Sequence, residues 1–224
     1  GQLEWVKEEE SPRIRNLRIV GRDWNASFLS GTDKAVPSLA GLLSLDANGT
    51  FLPDIGFVGE TNASVAESSW MFFPDANTSG RVDALSRGLA RVLGAEPVLS
   101  EDKLRILRRL AVLSGRLDLG EIMFRARRTS VGKVEVVELN FVGDDFLVRG
   151  VGEILPDGSL KLSLKIGARG AEVLGAAGML SEAKKDGDYR ILKTDPLVVE
   201  GNWREPDFAN LWRLLAQGLG LAPE

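Results

Sequence analysis

The chain of 224 residues contains no histidine and no cysteine. Histidine is the usual acid–base group near neutral pH and the commonest protein ligand for zinc, copper and non-haem iron. A chain without histidine therefore lacks the acid–base group and the metal ligand that most hydrolases and metalloenzymes use. The absence of cysteine excludes thiol nucleophiles, disulfides, iron–sulfur clusters and thiolate zinc sites. It leaves the compartment open, because chains without cysteine suit both reducing and oxidising spaces.

The composition nevertheless describes a chain that can fold. Its 44% hydrophobic content is enough to bury a core. We predict one domain over residues 1–224, with a β- and loop-rich part at 1–80 and helices plus a β-meander at 81–224. Charges of both signs are mixed and the formal net charge is −4, so no nucleic-acid partner is predicted. We also predict no cofactor and no metal, and a protein that is not an enzyme.

Long apolar stretches are missing as well. None approaches the roughly 20 apolar residues that a membrane-spanning helix needs, and the first five residues do not resemble a signal peptide. Because the sequence begins without methionine, we expect any membrane anchor to lie outside these 224 residues.

The first third of the chain predicts strands and loops. Alternation predicts a strand from Arg13 to Val20 and another from Leu39 to Leu45. Asn48-Gly49 is typical of a tight hairpin turn, which would continue into Phe51. Residues 53–80 are rich in Gly, Ser, Asn and Thr, and they predict strand fragments joined by long loops.

Two amphipathic helices and a run of hairpins follow. The helices are predicted over 81–93 and 101–114, with Ser100 as the cap of the second. From Leu117 to Ile166, alternating strands are separated by short turns, and the clearest turn is Pro156-Asp157-Gly158. Such short turns predict an antiparallel sheet, because a parallel crossover needs a dozen residues or more.

The last part predicts an Ala/Gly-rich helix over 171–183, a strand pair around 189–192 and 197–200, and a final helix after Pro206. Gly150 and Gly152 share one face of their strand, where missing side chains favour curvature. The predicted fold is therefore α+β: a curved antiparallel sheet, a meander, with amphipathic helices packed on one face.

The second half of the chain resembles a known family. Segments 117–154 and 156–164 resemble the C-terminal region of AsmA-like proteins in their alternation, their paired glycines and their Asp-Gly-Ser turn. Segment 197–206 is similar to the closing element of that family, with Asn202-Trp203 where threonine is commoner. Family members are often much longer than this chain.

The resemblance implies a non-enzymatic, periplasmic module of the cell envelope in a diderm bacterium, anchored in the inner membrane. It further implies a part in outer-membrane biogenesis or phospholipid transport, with phospholipid as a partner. Leu160, Leu162, Leu164 and Ile166 are the candidate lipid contacts, since they alternate with polar residues. Alternatively, helices around Leu107, Val173 and Leu211 cover this face and leave only a core, which is the favoured arrangement in a module of this size.

A second hypothesis is an envelope scaffold or surface protein-interaction domain that carries no lipid. Its partners would be envelope proteins, and its candidate contacts are Trp70, Phe72 and Trp203. A lipid conduit needs an open apolar groove, whereas a scaffold needs a filled core and an exposed apolar patch.

Overall fold

The computed structural model describes residues 2–4, 13–27, 38–71, 76–170 and 172–221. It shows a mostly β structure with four helices. The strands are β1 (Gln2–Glu4), β2 (Arg13–Asn25), β3 (Ser38–Leu52), β4 (Gly56–Met71), β5 (Leu117–Arg128), β6 (Val134–Val142), β7 (Phe146–Ile154), β8 (Ser159–Ala168), β9 (Leu180–Asp186), β10 (Tyr189–Leu192), β11 (Leu197–Asn202) and β12 (Glu205–Asp207). The helices are α1 (Thr78–Leu93), α2 (Glu101–Leu113), α3 (Glu172–Ala176) and α4 (Ala209–Gly218).

All described strands belong to one open antiparallel sheet. Strands β1 to β8 pair in chain order, and β8 then pairs with both β10 and β11 along its other edge. Strand β9 pairs with β10, and β12 pairs with β11. The α+β class and the curved antiparallel sheet predicted from the sequence are therefore confirmed.

Several predicted elements are confirmed closely. Strands β5 to β8 occupy the segment from Leu117 to Ile166 that predicted consecutive hairpins, and the turn at Pro156-Asp157-Gly158 does join β7 to β8. Helix α2 begins after Ser100, whose hydroxyl oxygen accepts a hydrogen bond from the backbone N–H of Lys103. This contact satisfies one of the free amides that every helix start leaves exposed.

The predictions for the first third of the chain were partly wrong. Asn48-Gly49 is not a turn, because β3 runs without a break through both residues to Leu52. A Cβ at position 49 would lie 2.1 Å from the carbonyl oxygen of Val58 on β4. Glycine is needed there for close approach of two strands rather than for a turn.

Residues 53–80 also differ from the prediction of strand fragments joined by long loops. The turn lies at 53–55, and residues 56–71 form one strand of 16 residues. The polar residues Ser64 and Asn62 that suggested loops occupy the outward positions of this strand, where alternation places polar side chains.

Two predictions near the C-terminus were wrong as well. The helix predicted over 171–183 is limited to the five residues of α3, and β9 follows from Leu180. The segments 189–192 and 197–200 are strands but do not pair with each other, since both pair with β8. Pairing with a strand already in place overrides the local preference of alanine and glycine.

The largest cluster of buried side chains combines helices with one end of the sheet. Leu89 of α1, Leu107 of α2 and Leu215 of α4 lie in it together with Phe146 and Ala168, which start β7 and end β8. The apolar stripe of the last helix therefore belongs to the core, as predicted. A smaller cluster contains Leu43, Val65, Leu119 and Ile122 from β3, β4 and β5, with Ala26.

The outward face of the sheet carries ion pairs between strands. Lys133 Nζ lies 2.6 Å from a carboxylate oxygen of Glu153 and 3.8 Å from one of Glu135. Further pairs join Arg18 to Asp46, Arg125 to Glu138, Arg127 to Glu135, Arg149 to Asp186 and Lys161 to Glu200. Exposed pairs contribute little stability each, so this face is chiefly a hydrated surface.

Leu89→Ala should lower the free energy of unfolding by about 2–5 kcal/mol, because Leu89 is fully buried at 0% exposure and its truncation leaves a cavity. Chemical denaturation monitored by circular dichroism measures the change. Val98→Ala is the matched control: Val98 is 92% exposed, and its truncation should change the value by no more than about 0.5 kcal/mol. Equal effects of the two substitutions would contradict the assignment of the core.

Arg127→Gln should raise the pKa of Glu135. Hydrogen bonds from Arg127 hold the pKa of this carboxyl below its usual range. The contribution of the pair to stability is therefore present above the unfolded-state pKa of about 4.3 and is lost as the pH falls through the lower folded-state value. Carbon-13 NMR titration of the Glu135 carboxyl should show a higher midpoint in the variant. Arg105→Gln, on α2, should leave that midpoint unchanged.

Candidate functional site

The inward face of the sheet is apolar across seven strands, β3 to β8 and β11. Strand register places its residues in rows that run across the strands. Successive rows are two residues apart along each strand, except on β6, where a bulge places Leu139 three residues after Val136. The first row is Gly49, Gly59, Arg128, Val134, Ile154, Leu160 and Gly201. The second row is Ala47, Thr61, Ala126, Val136, Gly152, Leu162 and Val199. The third row is Leu45, Ala63, Phe124, Leu139, Gly150, Leu164 and Leu197. The fourth row is Leu43, Val65, Ile122, Phe141, Val148 and Ile166. We call these four rows the apolar face.

The two ends of the apolar face differ in what packs against them. In the fourth row, Leu43, Val65 and Ile122 belong to the smaller buried cluster, and Ile166 packs against the helix cluster. No residue of the first or second row belongs to either cluster. Among the described residues, the two buried clusters therefore cover the fourth row of the apolar face, whereas the first and second rows belong to neither cluster.

The four leucine and isoleucine candidates from the sequence lie along this face, one in each row. Ile166 contacts the helix cluster, whereas Leu160, Leu162 and Leu164 do not belong to it. Leu160 is 8% exposed, and Leu162 and Leu164 are half-buried. The helices around Leu107, Val173 and Leu211 thus reach only the last of the four candidates.

Gly150 and Gly152 make room for two of these side chains. A Cβ at position 150 would lie 2.5 Å from a methyl carbon of Leu164, and one at position 152 would lie 2.7 Å from a methyl carbon of Leu162. Both leucines therefore lie flat across β7. The result is a low, smooth apolar surface in the second and third rows rather than a ridge.

The first three rows contain both half-buried and buried apolar side chains. The half-buried members include Leu45, Phe124, Leu139, Ile154, Leu162 and Leu164, whereas the buried members include Ala47, Ala126, Val136, Leu197 and Val199. The cost of leaving such a surface in contact with water is about 25 cal/mol per Å² of apolar area. A continuous surface of this kind, rather than scattered exposed residues, is characteristic of a binding site.

Arg128 is the single ionisable residue in the four rows. It ends β5 and lies in the first row, between Gly59 of β4 and Val134 of β6. Its Nε atom is buried and has no hydrogen-bond partner. The sequence analysis did not select Arg128. The available signal was its even spacing from Ile122, Phe124 and Ala126, which places it on the apolar face.

Four hairpin turns lie at the Arg128 end of the sheet. They join β3 to β4, β5 to β6, β7 to β8 and β11 to β12. Val131, Leu155 and Trp203 are exposed apolar side chains on three of these turns. A cleft of about 440 Å³ also opens at this end, but it is lined mainly by polar residues of the outward face, which include Glu153, Lys161 and Glu200.

Two of the three aromatic residues predicted as protein contacts, Trp70 and Trp203, lie in different surroundings. Trp70 packs against the smaller buried cluster. Trp203 is 51% exposed at the β11–β12 turn, and the guanidinium carbon of Arg204 lies 5.1 Å from its ring centroid. Phe72 lies outside the described residues.

Groups for covalent or metal chemistry are sparse in the described part of the chain. The spacing Ser-x-x-Lys, which can pair a serine nucleophile with a lysine base, occurs at 130–133 and 181–184. However, Ser181 Oγ accepts backbone N–H groups, Lys184 lies 3.9 Å from Asp195, and Lys133 pairs with Glu153. Within the described ranges, no three acidic side chains are grouped as metal ligands would be.

Helices long and apolar enough to cross a membrane do not occur in the described ranges. Comparison with known proteins adds no relative: no protein-family model, no curated protein and no solved structure matches the chain significantly.

Proposed function

We propose that the apolar face binds the acyl chains of a phospholipid, and that the chain is a non-enzymatic module of the cell envelope like the AsmA-like proteins it resembles. The observation that carries this proposal is the group of half-buried apolar side chains in the first three rows, among them Phe124, Ile154 and Leu162, which lie beside buried ones such as Val136 and Val199. The first two rows lie outside both buried clusters. A sheet that served only as one wall of a core would have its apolar side chains sealed by the opposite layer.

The opposite face supports the same function. Its ion pairs cross from strand to strand directly behind the apolar rows, for example between Lys161 and Glu200 behind Leu160 and Leu162. One face of each strand therefore prefers water and the other prefers hydrocarbon. This division suits a protein that keeps acyl chains out of water while it is itself surrounded by water.

The energetics favour exchange of lipid rather than permanent capture. Each methylene moved out of water contributes about 0.8 kcal/mol, so ten methylenes contribute on the order of 8 kcal/mol. The acyl chains of a lipid in a bilayer are already out of water. Transfer therefore requires only that the free energy of these chains on the apolar face is close to their free energy in the bilayer. A half-open surface that matches it approximately can both receive and release a chain.

In this proposal the protein is anchored in the inner membrane, faces the periplasm and takes part in outer-membrane biogenesis or phospholipid transport. The packed helices serve as a cover over one end of the apolar face, and the hairpin turns leave the other end accessible. These assignments of compartment and process come from the resemblance, and the lipid contact comes from the apolar rows.

A second candidate function is an envelope scaffold that binds a protein and no lipid. Trp203 favours it, since a half-exposed tryptophan stacked with an arginine is a common anchor in protein interfaces. The same experiment separates the two functions.

Native mass spectrometry of protein purified from a bacterial envelope should show bound phospholipid, with a mass released by organic extraction. The double substitution Leu162→Asp, Leu164→Asp should remove it, because two carboxylates in the second and third rows cannot be desolvated against acyl chains. The matched control is Val151→Asp, Ser163→Asp, which places one carboxylate on β7 and one on β8, both on the outward face.

Circular dichroism of both double variants tests whether they remain folded. If the inward variant unfolds, Leu164→Trp offers a bulky apolar alternative that obstructs the third row without adding charge, and it should reduce bound lipid several-fold. A mass without lipid for the wild-type protein, or equal loss of lipid in the inward and outward variants, would contradict the proposal and favour the scaffold.

A further inference from the structure

We propose that Arg128 binds the phosphate group of an amphipathic ligand at the accessible end of the apolar face. This inference rests on the proposed function, and it adds the chemistry of the head group and the direction in which the ligand lies. Three observations support it: the position of Arg128, the absence of a described partner for its side chain, and the distance from Arg128 to the fourth row.

Arg128 differs from the other arginines of the central strands in having no partner. Arg125 pairs with Glu138, Arg127 with Glu135, and Arg149 with Asp186, all on the outward face. The side chain of Arg128 makes no ion pair and no hydrogen bond with the residues that the structure describes, and its Nε is buried. A buried guanidinium N–H without an acceptor is costly, so this position favours an anion that is supplied from outside the chain.

The surroundings of Arg128 suit a head group. Its row contains Gly49, Gly59 and Gly201, so β3, β4 and β11 project no side chain from these positions. The guanidinium also lies beside the β3–β4 turn, since a Cβ at Gly56 would be 3.6 Å from Nη1. A head group bound here would remain next to the hairpin turns and to water.

Phosphate matches this arrangement chemically. The guanidinium presents its N–H donors in a planar fork that binds two oxygens of one phosphate at once. Such charge-assisted hydrogen bonds are stronger where water is partly excluded, as it is against the apolar rows. The proposed ligand therefore has one phosphate and at least one acyl chain.

The length of the apolar face agrees with that ligand. From Arg128 in the first row to Ile122 in the fourth, six residues of β5 span roughly 20 Å at about 3.3 Å per residue. One leaflet of a bilayer provides about 15 Å of hydrocarbon, half of the core thickness. With its phosphate on Arg128, an acyl chain would reach the side chains of the third and fourth rows, where the buried clusters begin.

The test compares phosphatidic acid, diacylglycerol with the same two acyl chains, and inorganic phosphate, each titrated against the whole chain by native mass spectrometry. The wild-type protein should prefer phosphatidic acid to diacylglycerol by about 10- to 100-fold, as expected for hydrogen bonds to a charged group. Arg128→Met, which keeps an unbranched stem but removes the charge, should abolish this preference and leave diacylglycerol binding unchanged.

Two further variants control for indirect effects. Arg125→Met removes a charge from the same strand on the outward face and should keep the preference. Arg128→Lys keeps the charge but loses the fork, so it should retain part of the preference. If Arg128→Met fails to fold, the lysine variant still decides, because an unchanged preference in a folded Arg128→Lys protein would contradict bidentate binding of the phosphate.

The outcomes separate the inference from the function on which it rests. Equal binding of phosphatidic acid and diacylglycerol by the wild-type protein overturns the role of Arg128 and leaves lipid binding in place. Absence of binding to either lipid and to phosphate overturns both. Binding of inorganic phosphate alone, lost in Arg128→Met, supports the phosphate site and assigns its source to free phosphate rather than to a lipid.

Discussion

The register between neighbouring strands is the constraint on which the apolar face depends. Side chains alternate between the two faces of a strand, so a slip of one residue would exchange apolar and charged residues along a whole strand. In β6 the alternation of the sequence is broken, yet Val136 and Leu139 both face inward because a bulge lies between them. The bulge thus restores the register and keeps the apolar rows continuous from β5 to β7.

The charged outward face reinforces that register. A slip of β6 against β5 would move Glu135 away from Arg127 and place carboxylates among apolar side chains. Each exposed pair contributes little free energy when it is formed. The penalty for burying its members unpaired is much larger. The ion pairs therefore act mainly by raising the free energy of a shifted register. The apolar rows on the inward face have the same effect, because a shift would expose them to water.

The sequence predicted those parts of the fold in which local pattern and tertiary structure agree. The β7–β8 hairpin was predictable because a Pro-Asp-Gly turn and faultless alternation after Leu160 give the same answer. Gly49 was misread because a glycine required for the approach of two strands has the same sequence context as a turn glycine. The short α3 was misread because pairing of β9 with β10 decides the segment from Leu180 onward, and no local pattern reports that pairing.

The candidate site shows the same division. Alternation alone placed Leu160 to Ile166 on an apolar face, but only the structure shows that the helix cluster stops at Ile166. Arg127 and Arg128 are neighbours in a basic stretch, and nothing in their chemistry distinguishes them. Their positions do, since one faces water and a carboxylate and the other ends an apolar row. An arginine that the fold leaves without a partner beside hydrocarbon-like side chains gives the apolar face a polar end, and a surface with one polar end selects an amphipathic ligand in one orientation.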